Sequence, residues 1–536
     1  MTLISLYPQY RASIESSRDR RMQEAPPLLS PEEREALLRT YHPDYREDAH
    51  RVLRVGPNAG ERVVHEVADL LEADSPLDPE TTDVTPQHEV DVLVLGGGGA
   101  GCTAALAAKA AGARVLLATK LRVGDSNTVM AEGGIQAAVG PEDSPVQHFL
   151  DVMAGGHFKN DPELVRILVE EGPEAILWLM RLGVLFDREA DGTLRRKVGG
   201  GTRSRRLLAC RDYTGLDIMR SLKEAILGEG IPVLEYAPAV ELLSDGEGRC
   251  CGAVLRTFDP ETSIVVHARS VVLATGGSGR LHIQGFPTSN HFGATGDALP
   301  MAYRLGARLA CLDTFQYHPT GVIYPGYLAG MLITEGMRSL GGQLLNARGE
   351  RFINELETRD VAAAAVIREC QEGRGVQTPS GKVGVWLDTP IIDRIHGEGT
   401  VAERFPNMLH QFARCGIDIR QEAVLVYPTL HYQNGGIRID AHGESSVPHL
   451  FVAGEATGGI HGRNRLMGNS LLDVIVFGLR AGRAAAERAR KESPGKPGLA
   501  HVRRFRDALR EAGVQPRGTA PVLLPPYAQR ENAVNR

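Results

Sequence analysis

The stretch VDVLVLGGGGAGCTAALAAKAAGARVLLAT, residues 90–119, decides the fold of this chain. Residues 90–95 form a short apolar run of the kind that lies in a buried parallel strand. A glycine-rich turn follows, then an Ala-rich run that predicts a helix over 102–111, then a second apolar run at 113–119. The three elements make one βαβ unit, which is typical of a doubly wound sheet.

The turn inside this unit has the spacing of a phosphate-binding loop. Gly96 permits a tight turn, Gly98 lets backbone N–H groups approach a pyrophosphate, and Gly101 allows close helix–strand packing. An NAD site would next place Asp or Glu on a ribose about 20 residues further on. Thr119 and Lys120 stand there instead. The loop alone does not separate NAD from FAD, and a glycine-rich turn without a ligand is the alternative.

Three further glycine clusters favour FAD. Glycine makes up 61 of 536 residues, and clusters recur at 125–134 (DSNTVMAEGG), 274–280 (ATGGSGR) and 453–459 (AGEATGG). A protein that wraps around FAD needs close backbone approach at several such places. Glu455 follows an apolar strand, where it can accept hydrogen bonds from ribityl or ribose hydroxyls.

Composition excludes several classes of protein. A formal net charge of −6 argues against nucleic-acid binding. No uncharged apolar run is long enough for a membrane span, and the first residues lack the apolar core of a secretory signal. Seven scattered cysteines without a C-x-x-C pair indicate reduced thiols in a cytoplasmic protein, with no metal or iron–sulfur cluster in this chain. A redox pair at Cys250 and Cys251 is the less favoured alternative.

Five ordered segments carry a resemblance to a known family. They are QYHPTG (316–321), LITEGMRS (332–339), ETRDVAAAAV (357–366), HYQNGG (431–436) and HGRNRLMGNSLLD (461–473). Together with the glycine loops they resemble the flavoprotein subunits of succinate dehydrogenase and fumarate reductase, with L-aspartate oxidase as a close relative. The resemblance covers residues 89–490.

The resemblance implies a fold and a division of the chain. The fold class is α/β, a discontinuous Rossmann-like FAD-binding domain with an inserted α+β capping domain and an N-terminal extension. The expected boundaries are an extension at 1–88, FAD-binding parts at 89–311 and 431–490, a capping substrate domain at 312–430, and a short tail at 491–536. Within the extension, Ser30 and Pro31 predict the start of a helix.

The resemblance also assigns roles around a C=C bond that is conjugated to a carboxylate. His318, Thr334, His431 and Arg465 would bind a fumarate-like dicarboxylate, and Arg359 would be the acid, with Glu335 and Arg338 as its proton relay. Arginine and histidine suit this task because they donate hydrogen bonds to carboxylates and stabilise developing enolate-like charge. From the residues alone, a structural salt bridge among Glu335, Arg338 and Arg359 is the alternative.

Cofactor contacts follow from the same resemblance. The cofactor is FAD, and the expected contacts are Gly96, Gly98, Gly99, Ala100, Gly101, Thr119, Lys120, Asn127, Thr128, Gly133, Gly134, Ala239, Thr275, Gly276, Asp297, Glu455, Arg465, Ser470 and Leu471. Asn127 stands where many respiratory members carry the histidine that bonds the flavin covalently, so we predict non-covalent FAD. Since the covalent link is associated with succinate oxidation, its absence favours fumarate-type reduction.

Other departures concern the substrate and the partners. Leu340 replaces an acid after the threonine–glutamate–glycine segment, and Gln433 with Asn434 departs from the usual pair, so the substrate can differ from fumarate. We expect electrons to pass to an iron–sulfur partner subunit, which would bring the chain to the inner face of a membrane without a span of its own. The alternatives are L-aspartate oxidase and an electron-carrying FAD subunit without an organic substrate.

A basic cluster over residues 195–215, RRKVGGGTRSRRLLACRDYTG, ends in a loop that resembles part of the family. Two interpretations stay open at this point. The loop holds the cofactor region or attracts dicarboxylates, or it is solvated.

Overall fold

The computed structural model describes residues 7–24, 26–525 and 527. Residues 1–6 and 25 of the expected extension, and residues 526 and 528–536 of the expected tail, lie outside this range. The helices are α1 (Pro8–Arg21), α2 (Pro31–Tyr41), α3 (His65–Leu71), α4 (Gly99–Ala110), α5 (Pro145–Gly155), α6 (Pro162–Glu170), α7 (Gly172–Arg181), α8 (Thr214–Gly228), α9 (Ala298–Leu305), α10 (Glu335–Ser339), α11 (Arg359–Gln371), α12 (Ile391–His396), α13 (Thr400–Arg404), α14 (Pro406–Ala413), α15 (Asn469–Lys491) and α16 (Ala500–Glu511).

The strands form five sheets within the described residues. They are β1 (His50–Val52), β2 (Arg62–Val64), β3 (His88–Leu95), β4 (Val115–Ala118), β5 (Ile135–Gln136), β6 (Leu207–Leu208), β7 (Val233–Leu234), β8 (Ala239–Ser244), β9 (Cys250–Arg256), β10 (Ser263–Leu273), β11 (Leu309–Ala310), β12 (Phe315–Tyr324), β13 (Gln343–Leu345), β14 (Val376–Gln377), β15 (Val383–Asp388), β16 (Val424–Gln433), β17 (Gly436–Arg438), β18 (Leu450–Val452) and β19 (Thr457–Gly458).

The largest sheet confirms the predicted α/β class. Its order is β7-β4-β3-β10-β9-β8, and β18 pairs with the end of β10. Strands β7, β4, β3, β10 and β18 run parallel. Strand β9 is antiparallel to both of its neighbours, β10 and β8. The predicted βαβ unit is present as β3-α4-β4. Its helix begins at Gly99, three residues before the predicted start, because the glycine loop itself turns into the helix.

A second, antiparallel sheet has the order β12-β16-β15-β13, with β14 paired to β15. The unit formed by this sheet and helices α10–α14 is called the cap below. Its apolar core, which includes Val361 and Trp386, is separate from the core of the large sheet. His431 lies near the end of strand β16, which pairs with β12 along the cap sheet as far as Gln433.

The N-terminal extension first packs on the cap and then on the large-sheet unit. Tyr7, Ile14, Leu37 and Leu38 belong to the apolar core of the cap. Arg18 and Arg21 both form ion pairs with the buried Asp388 of β15. The predicted helix at Ser30 is confirmed as α2, with a complete capping box between Ser30 and Glu33.

Among the described residues, no helix combines the length and the apolar character needed to cross a membrane.

Candidate active site

A cavity of about 690 Å³ lies at the carboxyl edge of the parallel strands. The residues that directly follow β3, β4, β10 and β18 all line it, namely Gly96, Thr119, Ala274 and Ala453. This is the edge at which doubly wound sheets bind ligands, because loops from neighbouring strands converge there. Its size is within the range of cofactor sites.

The glycine loop fits a close backbone approach. Gly96 has φ +124°, and a side chain there would overlap the carbonyl oxygen of Ala274. A side chain at Gly101 would overlap the carbonyl oxygen of Gly96. Gly276, with φ +78°, has no neighbouring atom where a Cβ would stand, so its open side faces free space. These residues therefore fit a bound dinucleotide such as FAD.

Most of the predicted cofactor residues line this cavity. They are Gly96, Gly98, Gly99, Ala100, Thr119, Lys120, Asn127, Thr128, Ala239, Thr275, Gly276, Asp297, Glu455, Arg465, Ser470 and Leu471. Gly101, Gly133 and Gly134 do not line it. The last two pack against Met467 and the carbonyl of Leu208 instead.

Three charged residues in the cavity wall already have protein partners. Lys120 Nζ lies 2.6 Å from Asp297 Oδ2. Glu455, which we expected to accept from ribityl or ribose hydroxyls, accepts hydrogen bonds from Asn127 Nδ2 at 2.9 Å and from the backbone N–H of Gln433 at 3.0 Å. The Oδ1 of Asn127 also accepts a hydrogen bond from the backbone N–H of His291, so both ends of this side-chain amide are held.

Two arginines meet on one oxygen, and one of them, Arg465, lines the cavity, whereas Arg359 and the oxygen's residue, Gln316, do not. Arg359 Nη1 and Arg465 Nη2 each donate to Oε1 of Gln316 at 2.8 Å. Gln316 was not among the residues predicted for the site. Its position two residues before His318 on β12 was a usable signal, since residues i and i+2 of a strand share a face. The amide oxygen holds both guanidinium groups in one buried place.

Glu335 joins Arg359 to Arg338. Its Oε2 lies 2.6 Å from Arg359 Nε and 3.3 Å from Arg338 Nη2. Burial raises the pKa of Glu335, but the two arginines outweigh burial and lower it to about 2. The backbone N–H of Gly200 donates to the other carboxylate oxygen at 2.8 Å. The three predicted relay residues are therefore in contact.

His318 and His431 lie side by side, with ring centroids 5.2 Å apart. Burial and the nearby arginines hold the pKa of each well below its usual value of 6.5, so both rings are neutral at pH 7. The backbone N–H of Thr320 donates to Nδ1 of His318 at 3.3 Å, which places the ring proton on Nε2. That buried Nε2 has no hydrogen-bond partner among the residues that the structure describes.

Arg465 lines the cavity, and its Nε also lacks a partner within the described part of the chain. Burial lowers the pKa of Arg465 to about 9, so it stays charged at pH 7. Its guanidinium lies 4.5 Å from the ring centroid of Tyr432, a cation–π contact with a residue that was not predicted for the site. Thr334, the fourth predicted substrate residue, is buried and caps α10.

The basic cluster is engaged within the protein only in part, since Arg203, Arg205 and Arg211 are exposed. Arg206 is buried between Asp143 and Asp151. The loop at 199–201 contacts the cap, because the backbone N–H of Gly201 donates to the carbonyl of Leu356. Together with the hydrogen bond from Gly200 to Glu335, this contact places the loop against the proton relay.

Comparisons with known proteins agree with this geometry. Residues 91–471 match the FAD binding domain family. The chain is 40% identical to a subunit of the fumarate reductase (CoM/CoB) of Methanothermobacter marburgensis, over 80% of this chain and 79% of that protein. It is 39% identical to the L-aspartate oxidase of Streptomyces coelicolor, over 76% of this chain and 69% of that protein. E. coli quinol fumarate reductase FrdA has a similar structure, with a TM-score of 0.71 and 32% identity, over 80% of this chain and 74% of that chain.

The cofactor of the chain is therefore FAD. The phosphate-loop geometry, the paired arginines and these matches together place the chain in the fumarate reductase and succinate dehydrogenase flavoprotein family.

Proposed function

We propose that this protein is the flavoprotein subunit of an enzyme that interconverts a fumarate-like dicarboxylate and its saturated form. The observation that carries the proposal is the meeting of Arg359 and Arg465 on Gln316, because Arg465 also lines the cavity that contains the phosphate loop. The relative from Methanothermobacter marburgensis, named as part of a fumarate reductase, supports the same reaction.

The charge of the site matches a dianion. Arg338, Arg359 and Arg465 provide three positive charges, Glu335 provides one negative charge, and His318 and His431 are neutral. The balance of +2 would be compensated by two carboxylates. The unpartnered Nε2–H of His318 and the Nε–H of Arg465 are donors for those carboxylates.

We propose that FAD is bound non-covalently by the cavity residues named above, among them the phosphate loop, Thr119, Lys120 and Asn127. When bound, FAD supplies hydride chemistry at the C=C bond. Arg465, His431, His318 and Thr334 bind and orient the substrate, and their donors stabilise negative charge on its carboxylate.

Arg359 provides the proton for the carbon of the C=C bond that does not receive the hydride. Its Nε contacts Glu335, which can return a proton drawn from Arg338. A group with so high a pKa can act as an acid when its acceptor is a strongly basic carbanion and the proton is replaced at once. Burial of Arg338 lowers its pKa, which favours this replacement.

The test is anaerobic. The purified protein with its FAD is reduced with a viologen dye and mixed with fumarate, substituted enoates or iminoaspartate, and flavin absorbance reports reoxidation. We expect reoxidation by fumarate-like enoates, and a rate about 10²–10⁴ lower in Arg359→Gln. Arg420→Gln, an exposed change on the cap, is the matched control. The absence of reoxidation by every enoate would refute the proposal.

L-aspartate oxidase is the second outcome of this test. The substrate of that enzyme, L-aspartate, carries an ammonium group, which would pair with a carboxylate. Glu335 is a carboxylate of this site, but it is already engaged by two arginines and by the backbone of Gly200. Flavin reduction by L-aspartate in the oxidised protein would identify that activity. Lack of any response to organic substrates would identify an electron-carrying protein.

We further propose that electrons are exchanged with a separate iron–sulfur subunit in the cytoplasm, at the inner face of a membrane where that subunit is membrane-bound. The relative from Methanothermobacter marburgensis is named as one subunit of its reductase, which supports a partner chain. The seven free cysteines are consistent with a reducing compartment. Purification of the tagged protein from its own cells should recover an iron–sulfur protein at a fixed ratio, and recovery of the flavoprotein alone would contradict the proposal.

A further inference from the structure

The N-terminal extension contacts the cap directly behind the active-site arginine. The backbone N–H of Leu29 donates to Glu357 Oε1 at 2.7 Å, and Arg34 Nε lies 2.9 Å from Glu357 Oε2. The side chain of Glu357 is completely buried, whereas that of Arg34 is 35% exposed. The extension thus supplies a backbone hydrogen bond and an ion pair to a buried carboxylate of the cap.

Glu357 stands two residues before Arg359, at the entry to α11. Thr358 is the N-cap of this helix and Arg359 is its first residue. Helix α2 packs along α11, and its Leu37 and Leu38 share an apolar core with Val361 of α11. The backbone that carries Arg359 is therefore held on one side by a side-chain anchor and on the other by helix packing.

The contacts of Arg359 leave little room for displacement. Its guanidinium has to reach Glu335 at 2.6 Å and Gln316 at 2.8 Å at the same time. A shift of about 1 Å in a reacting group lowers rates by about 10²-fold. A buried carboxylate that loses its counter-ion moves toward water or becomes protonated, and either change loosens the anchor.

We propose that Glu357 is a positioning residue for Arg359 and that Arg34 of the extension is its counter-ion. The extension is then part of the catalytic unit and acts on the site through Glu357. The kinetic part of this inference rests on the proposed dicarboxylate reaction.

The test compares Arg34→Ala, Arg34→Lys and Glu357→Gln with Arg39→Ala. Arg39 lies on the same helix and forms an exposed pair with Glu35, so Arg39→Ala is the matched control. We expect kcat for enoate reduction to fall about tenfold in Arg34→Ala and Glu357→Gln. The dissociation constant of succinate, measured from flavin absorbance, should change less than twofold. Arg34→Lys should restore most of kcat, and Arg39→Ala should match the wild type.

Hydrogen–deuterium exchange gives a second readout that does not need turnover. Amides in the first turn of α11 should exchange faster in Arg34→Ala and Glu357→Gln, but not in Arg39→Ala. If both variants fold, bind FAD and match the wild type in kcat and exchange, the inference is wrong. A lower melting temperature with unchanged kcat would also refute it, because a purely structural anchor gives that result. A wild type without enoate activity would refute the proposed function, while exchange still tests the anchor.

Discussion

His157 and Asp360 form a hydrogen-bonded ion pair, with 2.6 Å between Nε2 of His157 and Oδ2 of Asp360. His157 follows α5 in the large-sheet unit, and Asp360 is the second residue of α11 in the cap, next to Arg359. The hydrogen bond to Asp360 raises the pKa of His157. Burial raises the pKa of Asp360, but His157 outweighs burial and lowers it to about 2. This ion pair therefore connects the two units next to Arg359.

The pair should give the protein a pH-dependent stability. The raised pKa of His157 makes its contribution complete below about 6.5, and that contribution is lost as the pH rises through the folded-state value. The lowered pKa of Asp360 makes its contribution present above about 3.8, with loss as the pH falls toward 2. We expect His157→Gln to lower the melting temperature more at pH 5.5 than at pH 9. Because His157 is partly exposed, the difference should correspond to about 1 kcal/mol or less.

Thermal melts of the two proteins at both pH values test this expectation. His396→Gln, a change at an exposed histidine of the cap, is the control. Equal losses of stability at pH 5.5 and pH 9 would show that the pair is not charged in the folded protein.

The flavin should be released by acid. Asn127 stands at the position of the covalent attachment in respiratory relatives, and its amide is held by Glu455 and the backbone of His291. An amide nitrogen is not a nucleophile that can bond the flavin ring. We expect all of the FAD in the supernatant after precipitation with trichloroacetic acid, as measured by absorbance at 450 nm. A yellow, fluorescent pellet would contradict the prediction.

Gln316 should determine how the two arginines work together. Gln316→Met removes the shared acceptor and leaves two buried cations to repel each other, so we expect kcat to fall about 10- to 100-fold. Gln316→Glu supplies a negative charge that competes with the substrate, so KM should rise more than kcat falls. Steady-state kinetics with dye as electron donor would measure both. Gln421→Met, an exposed change on the cap, should have no effect. Unchanged kinetics in both Gln316 variants would remove this residue from the site.

Gly101→Ala should impair FAD retention. The added methyl group would overlap the carbonyl oxygen of Gly96 and push α4 away from the phosphate loop. We expect a protein with a lower melting temperature and with less than one FAD per chain after gel filtration. Gly228→Ala is the matched control, because it lies at the end of α8 with no atom near the added methyl. Full FAD occupancy in Gly101→Ala would show that the loop tolerates the displacement.

The sequence predicted features whose signals are local. The βαβ unit could be read from residues 90–119 because strand and helix periodicity and glycine spacing lie within one short segment. Glu335 and Arg338 are three residues apart, so their contact on α10 follows from helix geometry. These elements need no information about the rest of the chain.

The features that could not be predicted depend on contacts between residues that are far apart in the sequence. Leu29 and Glu357 are 328 positions apart, and the side chain of Gln316 faces two arginines from different segments. The helix of the extension was predictable from Ser30 and Pro31, but its partner was not, because many apolar faces in the chain could have received it. Residues 199–201 illustrate the same limit. Their backbone N–H groups donate to Glu335 and Leu356 of the cap, and the sequence of the loop does not indicate these acceptors.

The segment that matches the family and the segment that folds as a unit differ in this protein. A polypeptide started at residue 88 would keep the whole matched stretch, 91–471. It would nevertheless expose to solvent the apolar surface of the cap on which Ile14 and Leu37 pack. It would also leave the buried carboxylate of Asp388 without its ion pairs to Arg18 and Arg21. Expression plasmids trimmed to the homologous region should therefore yield aggregates. Because the family match leaves out the extension, boundaries assigned by homology alone would not show why such a polypeptide aggregates.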